Sequence, residues 1–250
     1  MSAERAEFTK VRTVASTGWT MLAAVATLVG FGVLYAMVLV TRPRTGGASF
    51  DGAAAALAGV QLAQIAVGVL GALVITGEYR TGSIRTTFAA VPRRTRVLVA
   101  KAAVVAAVTF GVSLPAAFAA FLAGQRILAR QHLDVSLGQP GVLRAVVGGA
   151  LYLTVVALLG LGLGVLLRNT AGAIAALFGL LFGASMIAGL LPAGVADHVA
   201  RYLPAPAGLA VTFDGRDPSS LPPWAGLAVF ALYTAAVLAL GAWRLRRADV

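Results

Sequence analysis

Six long runs of apolar residues constrain this chain more than any other feature of its sequence. A bilayer core about 30 Å thick is crossed by roughly 20 helical residues, and each run is long enough. Strands of a membrane barrel would alternate in polarity over about ten residues, and these runs do not. We predict an all-α, polytopic integral membrane protein with six transmembrane helices. The predicted spans are residues 19–41, 54–76, 102–125, 145–167, 171–191 and 224–243.

The composition excludes the main soluble alternatives. Of the 250 residues, 59% are hydrophobic and 12% are charged, and the mean hydropathy is +0.89. A soluble domain of this length has too small an interior to bury so much apolar surface. The first run has 23 uncharged residues and no A-x-A pattern after it, which favours an uncleaved helix over a signal peptide. Cysteine is absent, so disulfides and thiolate chemistry are excluded.

The basic residues predict the orientation. The net charge is +11, but the basic residues lie between apolar runs, so we expect contacts with anionic lipids and none with nucleic acid. A cytoplasmic N-terminus places thirteen basic residues inside and seven outside. We therefore predict a multi-pass protein of the cell membrane with both termini in the cytoplasm, 244–250 being a cytoplasmic tail. Phe8, Val11 and Ala15 share one helical stripe, which predicts an amphipathic interfacial helix within residues 1–18; a frayed tail is the alternative.

The loop at residues 77–101 contains six basic residues and one acidic residue. A topology signal alone would require only a few basic residues in any order. An i, i+4, i+7 spacing of apolar residues predicts a short helix, and Pro92 disfavours helix at the residue before it. The apolar stripe is Ile84, Phe88 and Val91. Glu78, Thr81 and Arg85 form a second face that is open to a partner.

This loop resembles the cytoplasmic signature of permeases of the type-2 (export) class of ABC transporters, E-[YF]-R-x-G-[ST]-[IL]-R followed by P-x-R. The matching residues are Glu78, Tyr79, Arg80, Gly82, Ser83, Ile84 and Arg85, then Pro92, Arg94 and Lys101. The resemblance extends over the whole chain, because that family has an amphipathic N-terminal helix and six spans. Its members carry a pair of short re-entrant segments in the external loop that corresponds to residues 192–223. The Ala-, Gly-, Val- and Arg-rich usage indicates a GC-rich genome, as in actinobacterial efflux permeases.

The resemblance implies that residues 78–91 form a coupling helix, which docks on a separately encoded ATP-binding subunit. The implied coupling residues are Glu78, Arg80, Gly82, Arg85, Pro92 and Arg94. A second permease copy, identical or a sister chain, is also implied, because six spans enclose half of the pathway in that family. The alternative is that the arginines of the loop only set the topology and bind lipid headgroups.

The chain shows no sign of chemistry of its own. A P-loop is absent, and neither of the two lysines, Lys10 and Lys101, follows a glycine. The predicted span cores contain no Asp, Glu, His, Lys or Arg, which argues against an ion-coupled carrier. Both histidines, His132 and His198, lie in predicted external loops. We expect no catalytic, cofactor or metal site, and therefore no enzyme.

Some polar and small residues lie inside the spans. Gln61 and Gln64 either line a translocation path or bond between helices, and the sequence leaves both options open. Thr109, Ser113, Thr154 and Ser185 are expected to form hydrogen bonds between helices, and the two serines also suit a bond to a carbonyl of their own helix. Gly160, Gly162 and Gly164, with Gly179 and Gly183, permit close helix packing within the chain or across a dimer.

These expectations combine into one functional hypothesis. The chain is the membrane-spanning permease subunit of an ATP-driven exporter. It forms the translocation path and couples that path to its ATPase partner. The alternative from another class is a membrane scaffold that binds partners without moving a substrate.

Overall fold

The computed structural model describes residues 15–41, 50–82, 94–190, 192–213 and 220–247. All regular elements within these residues are helical, as predicted. The helices are α1 (Ala15–Thr41), α2 (Gly52–Ala56), α3 (Val60–Thr81), α4 (Arg94–Leu128), α5 (Val142–Leu167), α6 (Thr170–Phe178), α7 (Ala184–Ala188), α8 (Ala193–Ala200), α9 (Pro204–Leu209) and α10 (Pro223–Arg247). The 3₁₀ turns Ala129–Gln131 and Ala210–Thr212 follow α4 and α9, and the π-helical turn Gly179–Gly183 joins α6 to α7.

Six helices are long and apolar enough to cross a membrane, which confirms the predicted number. They are Gly18–Thr41, Val60–Thr81, Thr95–Gln131, Val142–Leu167, Thr170–Ala188 and Pro223–Arg247. The fifth contains α6, the π-helical turn and α7 as one continuous helix. The chain is therefore a multi-pass membrane protein.

The helix ends differ from the ends of the apolar runs. The second span begins at Val60 rather than at residue 54, and it continues through Glu78 to Thr81. Helix α4 begins at Arg94 rather than at residue 102. The predicted loop 77–101 is thus shortened to residues 82–93. At the other end of the chain, α10 continues to Arg247, so the predicted tail from residue 244 begins as helix.

Parts of two further predictions lie outside the described residues. Most of the predicted N-terminal amphipathic helix lies outside them, because the described residues begin with α1 at Ala15. Residues 214–219 of the predicted external loop 192–223 also lie outside them.

Helix α5 forms the centre of the bundle. Its most apolar window is 72% buried, against 22% for the corresponding window of α1. Glycines bring α3 and α5 together, since a Cβ on Gly71 would strike the carbonyl of Ala157, and one on Gly160 would strike the carbonyl of Gly68. The Gly160 face therefore packs within this chain. In contrast, a Cβ on Gly179 or Gly183 would meet nothing within 4 Å.

The segment between α7 and α10 contains two short helices. Helix α8 has an exposed apolar stripe, whereas α9 is largely buried. Val195 and Val199 of α8 and Tyr202 just after it form an apolar stripe, and all three are exposed. Helix α9 and the 3₁₀ turn after it are largely buried. A Cβ on Gly208 of α9 would come within 2.6 Å of the rings of both Tyr152 and Phe230. The α9 segment is therefore wedged between α5 and α10.

Candidate coupling site and interior polar cluster

A buried ion pair joins α3 and α4 near the ends that flank residues 82–93. Lys101 Nζ lies 3.0 Å from Glu78 Oε1, and the two side chains are only 1% and 7% exposed. Isolated charges are costly to bury, whereas a hydrogen-bonded pair is tolerated. Glu78, which we expected on a face open to a partner, is instead paired inside the bundle. The two helices that flank residues 82–93 are thereby fastened together.

Helix α3 ends one turn after Glu78, and its C-cap residue is Gly82. Gly82 has φ +72, the left-handed conformation that glycine adopts without steric cost. Its N–H donates to the carbonyl of Tyr79 at 3.4 Å. The structure thus gives Gly82 a role in ending the helix, and a larger residue at this backbone angle would be strained.

The remaining coupling residues are distributed around this helix end. Arg80 is exposed on the last turn of α3, and Arg94 is the first residue of α4. Arg85 and Pro92 lie outside the described residues. The structure therefore brings Glu78, Arg80 and Gly82 together at the end of α3.

The turn between α5 and α6 lies beside the same helix end. The guanidinium carbon of Arg168 is 5.6 Å from the centre of the Tyr79 ring. Asn169 caps α6, with its Oδ1 accepting from the N–H of Gly172 at 2.8 Å. Arg244 of α10 donates to the carbonyl of Leu166, near the end of α5. Only Arg168 and Asn169 separate α5 from α6 at this turn.

These contacts define a basic end of the bundle. Its described basic residues are Arg80, Arg94, Arg96, Lys101, Arg168, Arg244, Arg246 and Arg247. At the opposite end, Gln125 joins three segments. Its Nε2 donates to the carbonyl of Gly52 at 2.9 Å, and its Oε1 accepts from the N–H of Val135 at 2.8 Å.

A second polar cluster lies within the bundle, between the two ends. Tyr152 of α5 donates a hydrogen bond from its hydroxyl to Gln64 Oε1 of α3, and both side chains are buried. Gln64 Nε2 in turn donates to the carbonyl of Gln61 at 2.8 Å. The Tyr152 ring packs against Phe230 of α10, with 5.3 Å between ring centres. Residues of three helices therefore meet at Tyr152.

This arrangement distinguishes the two glutamines. Gln64 is buried, and both ends of its amide are hydrogen-bonded, so it cross-links helices in this conformation. Gln61 is exposed on the first turn of α3, and its predicted place on a path stays a prediction. The sequence contained one indication of the role of Tyr152, which is that it lies within an apolar run. A tyrosine hydroxyl that is buried there usually has a hydrogen-bond partner.

The other polar side chains of the spans bond mainly within their own helices. The hydroxyls of Thr76, Thr154 and Thr234 each donate to the carbonyl four residues earlier. Thr154 therefore differs from the expected bond between helices. Thr109 is fully buried, and its hydroxyl has no hydrogen-bond partner.

The polar contacts described above are links between helices or other segments, or bonds within one helix. Among them, no cluster of three or more His, Cys, Asp or Glu side chains could hold a metal ion. The chain matches no protein-family model. The comparison with curated proteins likewise finds no significant match to it.

Proposed function

We propose that this chain is the permease subunit of an ATP-driven ABC exporter, working with a second permease copy and separately encoded ATP-binding subunits. The proposal places the N- and C-termini and the basic end in the cytoplasm. The observation that carries it is the segment that begins Glu78-Tyr-Arg-Thr-Gly-Ser-Ile-Arg85 at the end of a spanning helix. This segment has the order of residues found in the coupling signature of the family.

The ion pair between Glu78 and Lys101 supports a mechanical role for this segment. The pair fastens α3 to α4 on both sides of residues 82–93. A force applied to the segment by a partner would reach both helices together. Because α3 has 22 residues and α4 has 35, the two helices extend about 33 and 52 Å along the bundle.

The close packing of the bundle supports transmission of that force to the opposite end. Helix α3 packs on α5 through Gly71 and Gly160 without intervening side chains. Tyr152 of α5 bonds to Gln64 of α3 and contacts Phe230 and the α9 segment. Movement of α3 would therefore reach the buried α9 segment. In the proposed mechanism, ATP binding by the partner moves residues 82–93, and α9 takes part in opening the path on the outer side.

Isolation of the complex tests the proposal. The tagged chain is purified from its native membranes in mild detergent, and the accompanying proteins are identified and assayed for ATP hydrolysis. We expect a stoichiometric ATP-binding subunit with vanadate-sensitive turnover. Recovery of the chain without an ATPase in several detergents would favour the membrane scaffold instead.

A pair of matched variants connects this test to the coupling residues. Arg80→Glu reverses an exposed charge at the end of α3, and Arg96→Glu reverses an exposed charge on the first turn of α4. We expect Arg80→Glu to lower the yield of the ATP-binding subunit at least severalfold. Arg96→Glu, outside the predicted coupling residues, should leave the yield within twofold of the unchanged protein.

A further inference from the structure

Arg168 ends α5 in a backbone conformation that arginine seldom adopts. Its φ is +53, in the left-handed region, which asparagine tolerates better than most residues other than glycine. Only Arg168 and Asn169 separate α5 from α6. The side chain of Arg168 is therefore held close to the ends of two spanning helices and cannot extend far from the membrane surface.

One complete edge of the Arg168 guanidinium lacks acceptors. Nε and Nη2 are both buried, and neither has a hydrogen-bond partner. These two N–H groups point in the same direction and form the fork that binds a carboxylate or a phosphate in bidentate fashion. Buried donors are nearly always bonded, and an unbonded one is costly. For Arg144 and Arg201, by contrast, Nε is the one buried side-chain nitrogen that has no hydrogen-bond partner.

The surroundings of this fork are positively charged. Arg244 donates to the carbonyl of Leu166, two residues before Arg168. The N-terminus of α6, which starts at Thr170, adds a partial positive charge. Among the described residues, the acidic side chain at this end of the bundle is Glu78, which is engaged with Lys101 at 3.0 Å. The site therefore has the charge and the donor geometry to bind an anion.

We infer that Arg168 binds the phosphate group of an anionic phospholipid. Leu167, directly before it, is 39% exposed on a spanning helix, so an acyl chain can lie beside the site. Trp243 of α10 is also exposed and contacts Arg247, with 4.3 Å from the guanidinium carbon to the ring. Tryptophan and arginine in this arrangement are typical of the membrane interface. The fork itself is buried in this conformation, so the inferred binding requires a rotation of the Arg168 side chain, which is partly exposed. This inference does not depend on the proposed function.

The test measures lipid binding to the purified full-length chain by native mass spectrometry after removal of endogenous lipid. The probes are phosphatidylglycerol, and diacylglycerol as the equivalent without phosphate. The main variant is Arg168→Asn, which suits the left-handed backbone, and Arg168→Lys keeps the charge without the fork. Arg246→Gln removes an exposed arginine from the same end and serves as the matched control. The thermal unfolding midpoint of each variant shows that it is folded.

We expect Arg168→Asn to weaken phosphatidylglycerol binding about tenfold, Arg168→Lys to weaken it severalfold, and Arg246→Gln to change it less than twofold. Diacylglycerol should bind all four proteins equally and more weakly. Unchanged phosphatidylglycerol binding by folded Arg168→Asn would overturn the inference, as would an equal loss in Arg246→Gln. Displacement of the lipid by low-millimolar inorganic phosphate would show that the site takes free phosphate rather than a headgroup.

Discussion

Tyr152 on α5 donates a hydrogen bond to Gln64 on α3, and both residues are buried within the bundle. Glu78, which forms the ion pair with Lys101 of α4, lies on the same helix as Gln64, about 21 Å further along α3 at 1.5 Å per residue. Helix α3 is thus fastened to α5 near one end and to α4 near the other. We expect it to move as a rigid element between these two points.

The first prediction concerns the Tyr152 hydroxyl. Tyr152→Phe keeps the ring that packs on Phe230 but leaves Gln64 Oε1 buried without this donor. Hydrogen bonds of this kind in membrane proteins contribute about 0.6–1.7 kcal/mol, so we expect a lower thermal unfolding midpoint in detergent. In the double variant Gln64→Leu/Tyr152→Phe, the loss should be smaller than the sum of the two single losses. Additive losses would show that the two side chains are not coupled.

The second prediction concerns the buried ion pair. Glu78→Gln leaves Lys101 buried without its counter-charge, and breaking such a pair costs about 3–5 kcal/mol. We expect the variant to insert into membranes but to unfold at a markedly lower temperature. Because Glu78→Gln removes the carboxylate that lies 3.0 Å from the buried Lys101 ammonium, replacing both residues, as in Glu78→Gln/Lys101→Met, should recover part of the loss. A Glu78→Gln protein as stable as the original would contradict the assigned pairing.

The buried ion pair changes what the substitution Glu78→Arg would test. If Glu78 contacted a partner subunit, Glu78→Arg would affect coupling alone. Since Glu78 is 3.0 Å from Lys101 inside the bundle, Glu78→Arg places two positive charges together at a buried site. We therefore expect Glu78→Arg to destabilise the fold, and Arg85 is the better position for a test of docking.

The third prediction compares two glycines. Gly160→Ala places a methyl group against the carbonyl of Gly68, whereas Gly179→Ala places one where nothing lies within 4 Å. Overpacking of a tight interface typically costs about 1–3 kcal/mol. Gly160→Ala should therefore lower the thermal midpoint, while Gly179→Ala should leave it nearly unchanged. Equal effects of the two substitutions would show that α3 and α5 do not approach as closely as described.

Hydropathy was sufficient to predict the number of spans, because each helix that crosses the bilayer requires about 20 consecutive, mostly apolar residues. It could not place the helix ends around Glu78 and Lys101. A charged residue ends an apolar run, yet here the two charges neutralise each other and both helices continue through them. The partners lie 23 positions apart, so no local pattern reports their contact. A usable signal was that the loop 77–101 contains a single acidic residue and a single lysine.

The interior cluster was partly predictable. The sequence identified Gln64 as a polar residue at membrane depth, but its partner Tyr152 lies 88 positions away. Only the packing of α3 on α5 brings the two together. The buried α9 segment was likewise unpredictable from composition, since its Pro- and Gly-containing sequence also suits an exposed loop. Its burial depends on Gly208, which leaves room for the rings of Tyr152 and Phe230.

The fourth prediction tests the proposed orientation. The chain has no cysteine, so single cysteines can be introduced without a background signal. Ser136→Cys lies in the exposed connection between α4 and α5, and Thr81→Cys lies at the exposed end of α3. In intact cells, a membrane-impermeant maleimide should label Ser136→Cys and not Thr81→Cys, which should react after the cells are opened. The reverse pattern would place the basic end outside the cell.

The central claim is that residues 82–93 couple this chain to ATP hydrolysis by a partner, and the most direct measurement is ATP turnover of the purified complex. Turnover is compared for the unchanged protein, for Arg85→Glu in the coupling segment and for Arg96→Glu as the matched charge reversal. We predict vanadate-sensitive turnover that Arg85→Glu reduces at least fivefold and that Arg96→Glu leaves within twofold, with all three chains inserted at equal levels. Equal turnover in the two variants, or an isolated chain with no ATPase partner, would contradict the account.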